Sequence, residues 1–134
     1  MADAQPLQGL NALVVDDNAD AREIFGVVLR QAGAIMAVVE SADQAVRHLE
    51  QLRPDVVVTD LAMPDRDGMW LIKWIRERDA NQKIYTPVIA VTAHYDVYDT
   101  ADLRFDSCLS KPVAWNELLH CIRVVTGRDV PASA

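Results

Sequence analysis

Positive charge is scarce in this chain: 13 Lys and Arg stand against 20 Asp and Glu, a formal net charge of −7. Direct binding to nucleic acid needs a basic footprint that displaces counterions from phosphates, and no surplus exists to build one. Cysteine is nearly absent. Cys108 and Cys121 stand at no metal-ligand spacing in a chain without secretory features, so both are expected as free thiols. Long apolar runs are missing, and the opening MADAQPLQGL lacks the basic and apolar segments of a signal peptide. No membrane association is expected, and the cytoplasm is the expected compartment. No linker or low-complexity stretch interrupts the chain. At 134 residues and 51% hydrophobic composition, one domain with one buried core is expected, with no room for a second folded domain. The acidic surface suits a protein partner or a metal.

What is present is an alternation of strand-length apolar segments with helical patterns, repeated five times. The strand candidates are Ala12 to Val15, Ile35 to Val39, Val56 to Thr59, Val88 to Val91 and a short one at Ser107 to Leu109. Their β-branched, barely alternating character predicts a parallel sheet covered on both faces. Helical stripes fall at Ala21, Ile24, Phe25, Val28 and Ala32, at Ala42, Ala45, Val46 and Leu49, at Leu71, Ile72 and Ile75, and at Trp115, Leu118, Leu119 and Ile122. A further helix near Val97 to Leu103 has a poor stripe, with Asp96 placed to cap it. Asp20 with Glu23 and Ser41 with Gln44 have capping-box spacing, and Gly33 and Gly127 stand where helices should stop. Such a chain packs helices on both sheet faces through right-handed crossovers, and ligands bind beyond the carboxyl ends of the strands.

Those strand ends carry the chemistry. The first strand runs into Asp16 and Asp17, the third into Asp60 and the fourth into Thr92, and Lys111 and Pro112 follow the fifth. Three converging carboxylates repel one another unless a cation joins them. Hard oxygen ligands without His or Cys point to Mg²⁺. A carboxylate can also be the nucleophile in phosphoryl transfer, and the transferred oxygens then need positive charge, which Mg²⁺ and Lys111 would supply. The Thr92 hydroxyl could donate to one of those oxygens.

LVVDDN, VVVTDLAMPDRDG, VIAVTA and LSKPV together resemble the receiver domain of bacterial two-component response regulators, over roughly residues 10 to 126. Residues 1–9 and 127–134 are then expected as flexible termini. The resemblance implies a flavodoxin-like α/β fold, a single-domain (βα)5 doubly wound parallel sheet in strand order 2-1-3-4-5. It implies Asp60 as phosphoacceptor, Asp16 and Asp17 as the acidic pair holding Mg²⁺, and the Ala62 backbone carbonyl as a further metal ligand. Thr92 becomes the phosphate-sensing hydroxyl and Lys111 the phosphate-pairing lysine, with a cis Lys111–Pro112 bond common in the family. The implied partner is a histidine kinase or histidine phosphotransfer protein in a two-component system or phosphorelay. The implied role is a switch that promotes its own phosphorylation and dephosphorylation rather than an enzyme. A monomer or weak homodimer is expected.

Two departures fall on the face the family commonly uses for output. Cys108 stands where family members usually carry Tyr or Phe, and the stretch from Thr92 to Lys111 is about one helical turn short. Both suit a receiver that passes phosphate along with little conformational change. The rivals are a pseudo-receiver that binds protein without phosphorylation, and a magnesium-dependent aspartyl-phosphate phosphatase. The phosphatase needs two Asp two apart after the first strand, whereas Asp16 and Asp17 are adjacent.

Other residues carry weaker signals. Trp70 and Trp74 lie at the edge of a core stripe, where partial burial is favoured over a partner surface. His94, two after Thr92, is placed either to line the site or to sit exposed in a loop. His48 and His120 are expected to be solvated or structural, and Cys108 to be a small apolar filler rather than a reactive thiol.

Overall fold

The computed structural model describes residues 5–93 and 104–128. Strands β1 (Asn11–Val15), β2 (Ile35–Val39), β3 (Val56–Thr59), β4 (Val88–Thr92) and β5 (Ser107–Ser110) alternate with α1 (Ala19–Gln31), α2 (Ala42–Gln51) and α3 (Gly68–Gln82), and α4 (Trp115–Val125) follows β5. All strand pairings are parallel, in the order β2-β1-β3-β4-β5. Every expected strand is present, three of them extended by one residue. The expected helix near Val97 to Leu103, with Asp96 and His94, lies outside the described residues.

Period-2 side-chain alternation sends each strand's apolar residues to both faces, so the sheet separates two cores. One gathers Val14, Phe25, Leu29, Val58, Leu118 and Ile122 under α1 and α4. The other gathers Leu13, Val15, Leu49, Leu71, Ile72 and Ile75 under α2 and α3. Each fully buried Leu, Ile or Val contributes about 1.5–3 kcal/mol relative to exposure, and β3 and β4, buried throughout, with β1, buried from Ala12 to Val15, form the centre of the sheet. Phe25 and Trp115 meet edge to face at 5.3 Å, joining α1 to α4.

The sheet covers β2 less than its sequence suggests. Ile35 is exposed and Met36 to Val39 are half-buried, because β2 is an edge strand. On α1 the buried stripe is Phe25, Gly26 and Leu29, while Ile24 faces outward at 48% exposure. The expected Asp20–Glu23 cap is corrected as well: Asn18 caps α1 by accepting from Ala21 N at 2.8 Å, and Asp20 lies inside the first turn. Ser41 caps α2 as expected, accepting from Gln44 N, but the Gln44 side chain accepts from Glu40 N. Gly33 and Gly127 have positive φ just beyond the ends of α1 and α4.

The folded body begins before residue 10. Leu7 is fully buried in the α1–α4 core, its N–H donates to Ala32 O at 2.8 Å, and Gly9 N donates to Gly33 O. A side chain on Gly33 would meet Gln8 backbone atoms at under 3 Å, which is why this close approach needs glycine.

At the end of the sheet away from the strand carboxyl ends, charged residues of α3 are buried. Arg78 donates to Leu49 O, Thr86 Oγ1 and Asp79 Oδ1, and Asp79 accepts from Thr86 N. Arg76 reaches Asp79, Thr86 O, Arg104 O and Asp106, and covers the ring of Tyr85 at 4.4 Å. Tyr85 in turn donates to Asp106, whose other oxygen accepts from Val88 N. Tyr85 is 61% exposed as a whole, but local desolvation of its hydroxyl and this hydrogen bond push that group up to about 12, against the opposing pull of Arg76.

Trp70 and Trp74 are half-buried against the α2–α3 core, under Arg66 and Arg78 respectively. Cys108 packs at the same core while Cys121 packs at the other; neither is in a disulfide. His48 is half-buried and His120 exposed.

Candidate functional site

β1 and β3 are adjacent and in register, with Val15 beside Thr59, so the residues that follow them emerge side by side. Asp60 N donates to Val15 O at 2.9 Å and Asp16 N to Val39 O at 3.1 Å, extending the ladders one residue past the strands. Asp16 and Asp60 are buried and Asp17 is exposed. One oxygen from each of the three lies within 4.8 Å of the others. Backbone groups hold two of these carboxylates: Asn18 N donates to Asp16 Oδ1 at 2.9 Å and Ala62 N to Asp60 Oδ1 at 3.1 Å. Arg22 donates to Asp16 O at 2.8 Å and steadies the same turn.

Lys111 completes the cluster from the far side of the sheet. Thr92 O accepts from Lys111 N at 2.8 Å, which fixes the chain after β5, and the Lys111–Pro112 peptide is cis. Lys111 Nζ then lies 2.8 Å from Asp16 Oδ2 and 2.9 Å from Asp60 Oδ2. Burial of the ammonium works to lower its pKa, but the bonds to Asp16 and Asp60 outweigh it and hold the group above the ordinary lysine value. Thr92 is fully buried at the end of β4.

The opposite wall depends on Gly68, the first residue of α3. A Cβ there would stand 2.5 Å from Asp60 O and 2.7 Å from Leu61 Cδ2, so only glycine lets α3 begin this close to β3. Asp67 caps the helix, accepting from Trp70 N at 2.9 Å. Gly68 stands in the motif read from the sequence, but the Asp67 cap and the Arg22 contact were not anticipated there. An Asp before the apolar run of α3 is the signal that could have found the cap.

Asp16, Asp17, Asp60 and Lys111 are thus brought together as expected, with Ala62 beside Asp60 and Thr92 beside the backbone of Lys111. His94 lies outside the described residues. Three carboxylates against one ammonium leave an uncompensated double negative charge, and every donor is a hard oxygen, the set that suits a divalent ion such as Mg²⁺.

Next to Lys111 lies an apolar groove of about 310 Å³, lined by Ala21, Ile24, Phe25, Pro112, Val113 and Trp115. The outward Ile24 belongs to it.

Comparison with known proteins agrees with this geometry. The chain is 38% identical over 122 residues to an uncharacterized 14.6 kDa protein of Leptolyngbya boryana, covering 89% of this chain and 92% of that one. It is 29% identical to probable histidine kinase 2 of Oryza sativa subsp. indica, covering 90% of this chain but 13% of the kinase. It superposes with TM-score 0.78 and 28% identity on the receiver domain of the sensor histidine kinase PA1611 from Pseudomonas aeruginosa PAO1, a structure with a magnesium ion coordinated in the active site cleft. That match covers 89% of this chain and 98% of the other. No helix among the described residues is long and apolar enough to cross a membrane. The family model for the response regulator receiver domain matches residues 12–123, and the chain belongs to that family of two-component signalling domains.

Proposed function

We propose that this chain is a phosphorylation-controlled receiver that accepts a phosphoryl group onto Asp60 from a phosphohistidine of a histidine kinase or histidine phosphotransfer protein. The observation that carries this reading is Lys111 Nζ seated between Asp16 and Asp60, with Asp17 completing the acidic set.

Asp16, Asp17 and Asp60, with the Ala62 carbonyl, would hold Mg²⁺, which when bound supplies positive charge to offset that of the phosphoryl oxygens. An oxygen of Asp60 forms the new O–P bond as the P–N bond to the donor imidazole breaks, and the imidazole leaves with a proton. Lys111 is placed to pair with a phosphoryl oxygen, exchanging its contact with Asp60 for one with the incoming group. The Thr92 hydroxyl donates to another of those oxygens. Return to the free carboxylate is by attack of water or by onward transfer to a second histidine. The apolar groove beside Lys111 is the seat for the donor's helix, which would bring its histidine over Asp60. Cys108 at the usual aromatic position favours relay of the phosphoryl group over a large rearrangement.

Intact mass after incubation with acetyl phosphate tests the reading. The expected result is a gain of one phosphoryl group that requires Mg²⁺ and disappears in Asp60→Ala. No gain in a folded wild type would overturn it and assign the chain to phosphorylation-independent protein binding.

A further inference from the structure

We propose that the open edge of β2 is a homodimerisation edge, on which a second copy of this chain pairs its own β2 antiparallel and extends the sheet across a two-fold axis. β2 has a strand neighbour on one side only. Ile35 N donates to Leu10 O at 2.7 Å, and Val39 O accepts from Asp16 N at 3.1 Å, so the backbone groups of 35 and 39 point at β1. Backbone direction alternates along a parallel strand, which turns the N–H and C=O of Met36 and Val38 to the open side.

These two residues are self-complementary. In an antiparallel pair centred on Ala37, Met36 of one copy stands opposite Val38 of the other, and each such pair exchanges two hydrogen bonds. All four outward donors and acceptors of each copy are then satisfied. At the centre, where the strands approach most closely, two Ala37 side chains meet without crowding. Toward the ends, Ile35 comes opposite Val39 of the second copy.

Three further observations fit a second copy. The strand IMAVV carries none of the devices that keep edge strands apart, having no charge, no proline and no bulge. Exposed apolar surface gathers at its start: Ile35 is 59% and Leu52 57% exposed, beside a groove of about 290 Å³ that His48 and Arg53 also line. Charge at the end of the strand is met within one copy, since Glu40 after Val39 pairs with Arg22 at 3.5 Å, so the edge itself does not repel a second copy. The net charge of −7 opposes association, and salt screens it. A contact limited to one strand edge is at the low end for specific interfaces, so the dimer is a weak one that forms at high protein concentration.

Sedimentation velocity of the full chain over a concentration series, with amide exchange by NMR, tests the proposal. The expected result is a dimer that grows with concentration and with salt, and slowed exchange at Met36 and Val38 as it forms, while Ile35 and Val39 are slow throughout. Ile35→Lys, at an exposed position, is expected to weaken association at least tenfold. A chain that stays monomeric overturns the proposal. So does a dimer that survives Ile35→Lys with exchange at Met36 and Val38 unchanged, since that places the interface elsewhere.

Discussion

Lys111 Nζ stands 2.8 Å from Asp16 Oδ2, joining residues 95 apart in the chain across the carboxyl ends of four strands, β1 to β5. The same ammonium bonds Asp60 at 2.9 Å, so one cation compensates the two buried carboxylates of the site. Its removal has two opposite consequences. Lys111→Met takes away a positive charge that would stabilise the transferred phosphoryl oxygens, and uptake from acetyl phosphate should slow by about 10²–10³-fold. The acidic cluster loses its resident cation at the same time, so Mg²⁺ affinity, measured by titration calorimetry, should rise. A variant that phosphorylates at the wild-type rate, or binds Mg²⁺ more weakly, contradicts this assignment of roles.

Gly68→Ala tests the close approach of α3 to β3. The added Cβ would meet Asp60 O at 2.5 Å and Leu61 Cα at 2.9 Å, backbone atoms that cannot swing aside. The start of α3 or the Asp60–Leu61 peptide must shift, at a cost of about 1–3 kcal/mol. Urea denaturation should show that loss. Because the shifted atoms belong to Asp60 and its neighbour, phosphoryl uptake should fall by more than the loss of folded protein explains.

The strands and the site were legible for the same reason: a parallel sheet buried on both faces writes short apolar runs, and whatever ends them lies at the binding edge. Asp16, Asp60 and Lys111 could therefore be read without coordinates. Charged residues within helices could not. Nothing in the helical pattern of α3 marks Arg78 and Asp79 as buried, because the partners that satisfy them, Leu49 O and Thr86, come from other elements. At the start of α1, Asn18 and Asp20 both offer a capping oxygen, and only the backbone after Asp17 decides for Asn18. The pattern of β2 alone reads like that of a covered strand; its place at the edge came from the strand order that the resemblance implied, since periodicity does not encode order.

Leu7→Ala tests whether the segment before β1 belongs to the fold. Leu7 is fully buried among residues of α1 and α4, so truncation removes its transfer energy and leaves a cavity, together about 2–5 kcal/mol. The unfolding midpoint in urea should fall accordingly. Loss of less than about 0.5 kcal/mol, the range of an ordinary surface substitution, would show residues 5–9 to be dispensable.

The Tyr85–Asp106 bond makes a prediction about alkaline pH. The Tyr85 hydroxyl is pushed from 10.0 up to about 12, first by local desolvation and then by its bond to Asp106, so between these values the native chain holds a proton that the unfolded chain has released. By linkage, stability falls with pH wherever the native state binds more protons. The contribution of Tyr85 is therefore complete below pH 10 and is lost as pH rises to about 12. Lys111, also raised, adds to the decline in the same sense above its ordinary value of 10.5. Tyr85→Phe removes the tyrosine part and leaves the lysine part, so stability should fall less steeply across this range than in the wild type. Tyrosinate absorbance checks the assignment directly: one of the three tyrosines should titrate near 12 in the native wild type and be missing from the variant. If all three ionise together near 10, Asp106 is not holding the Tyr85 proton, and its carboxylate at that end of the sheet is held by Arg76 and Val88 N without the tyrosine.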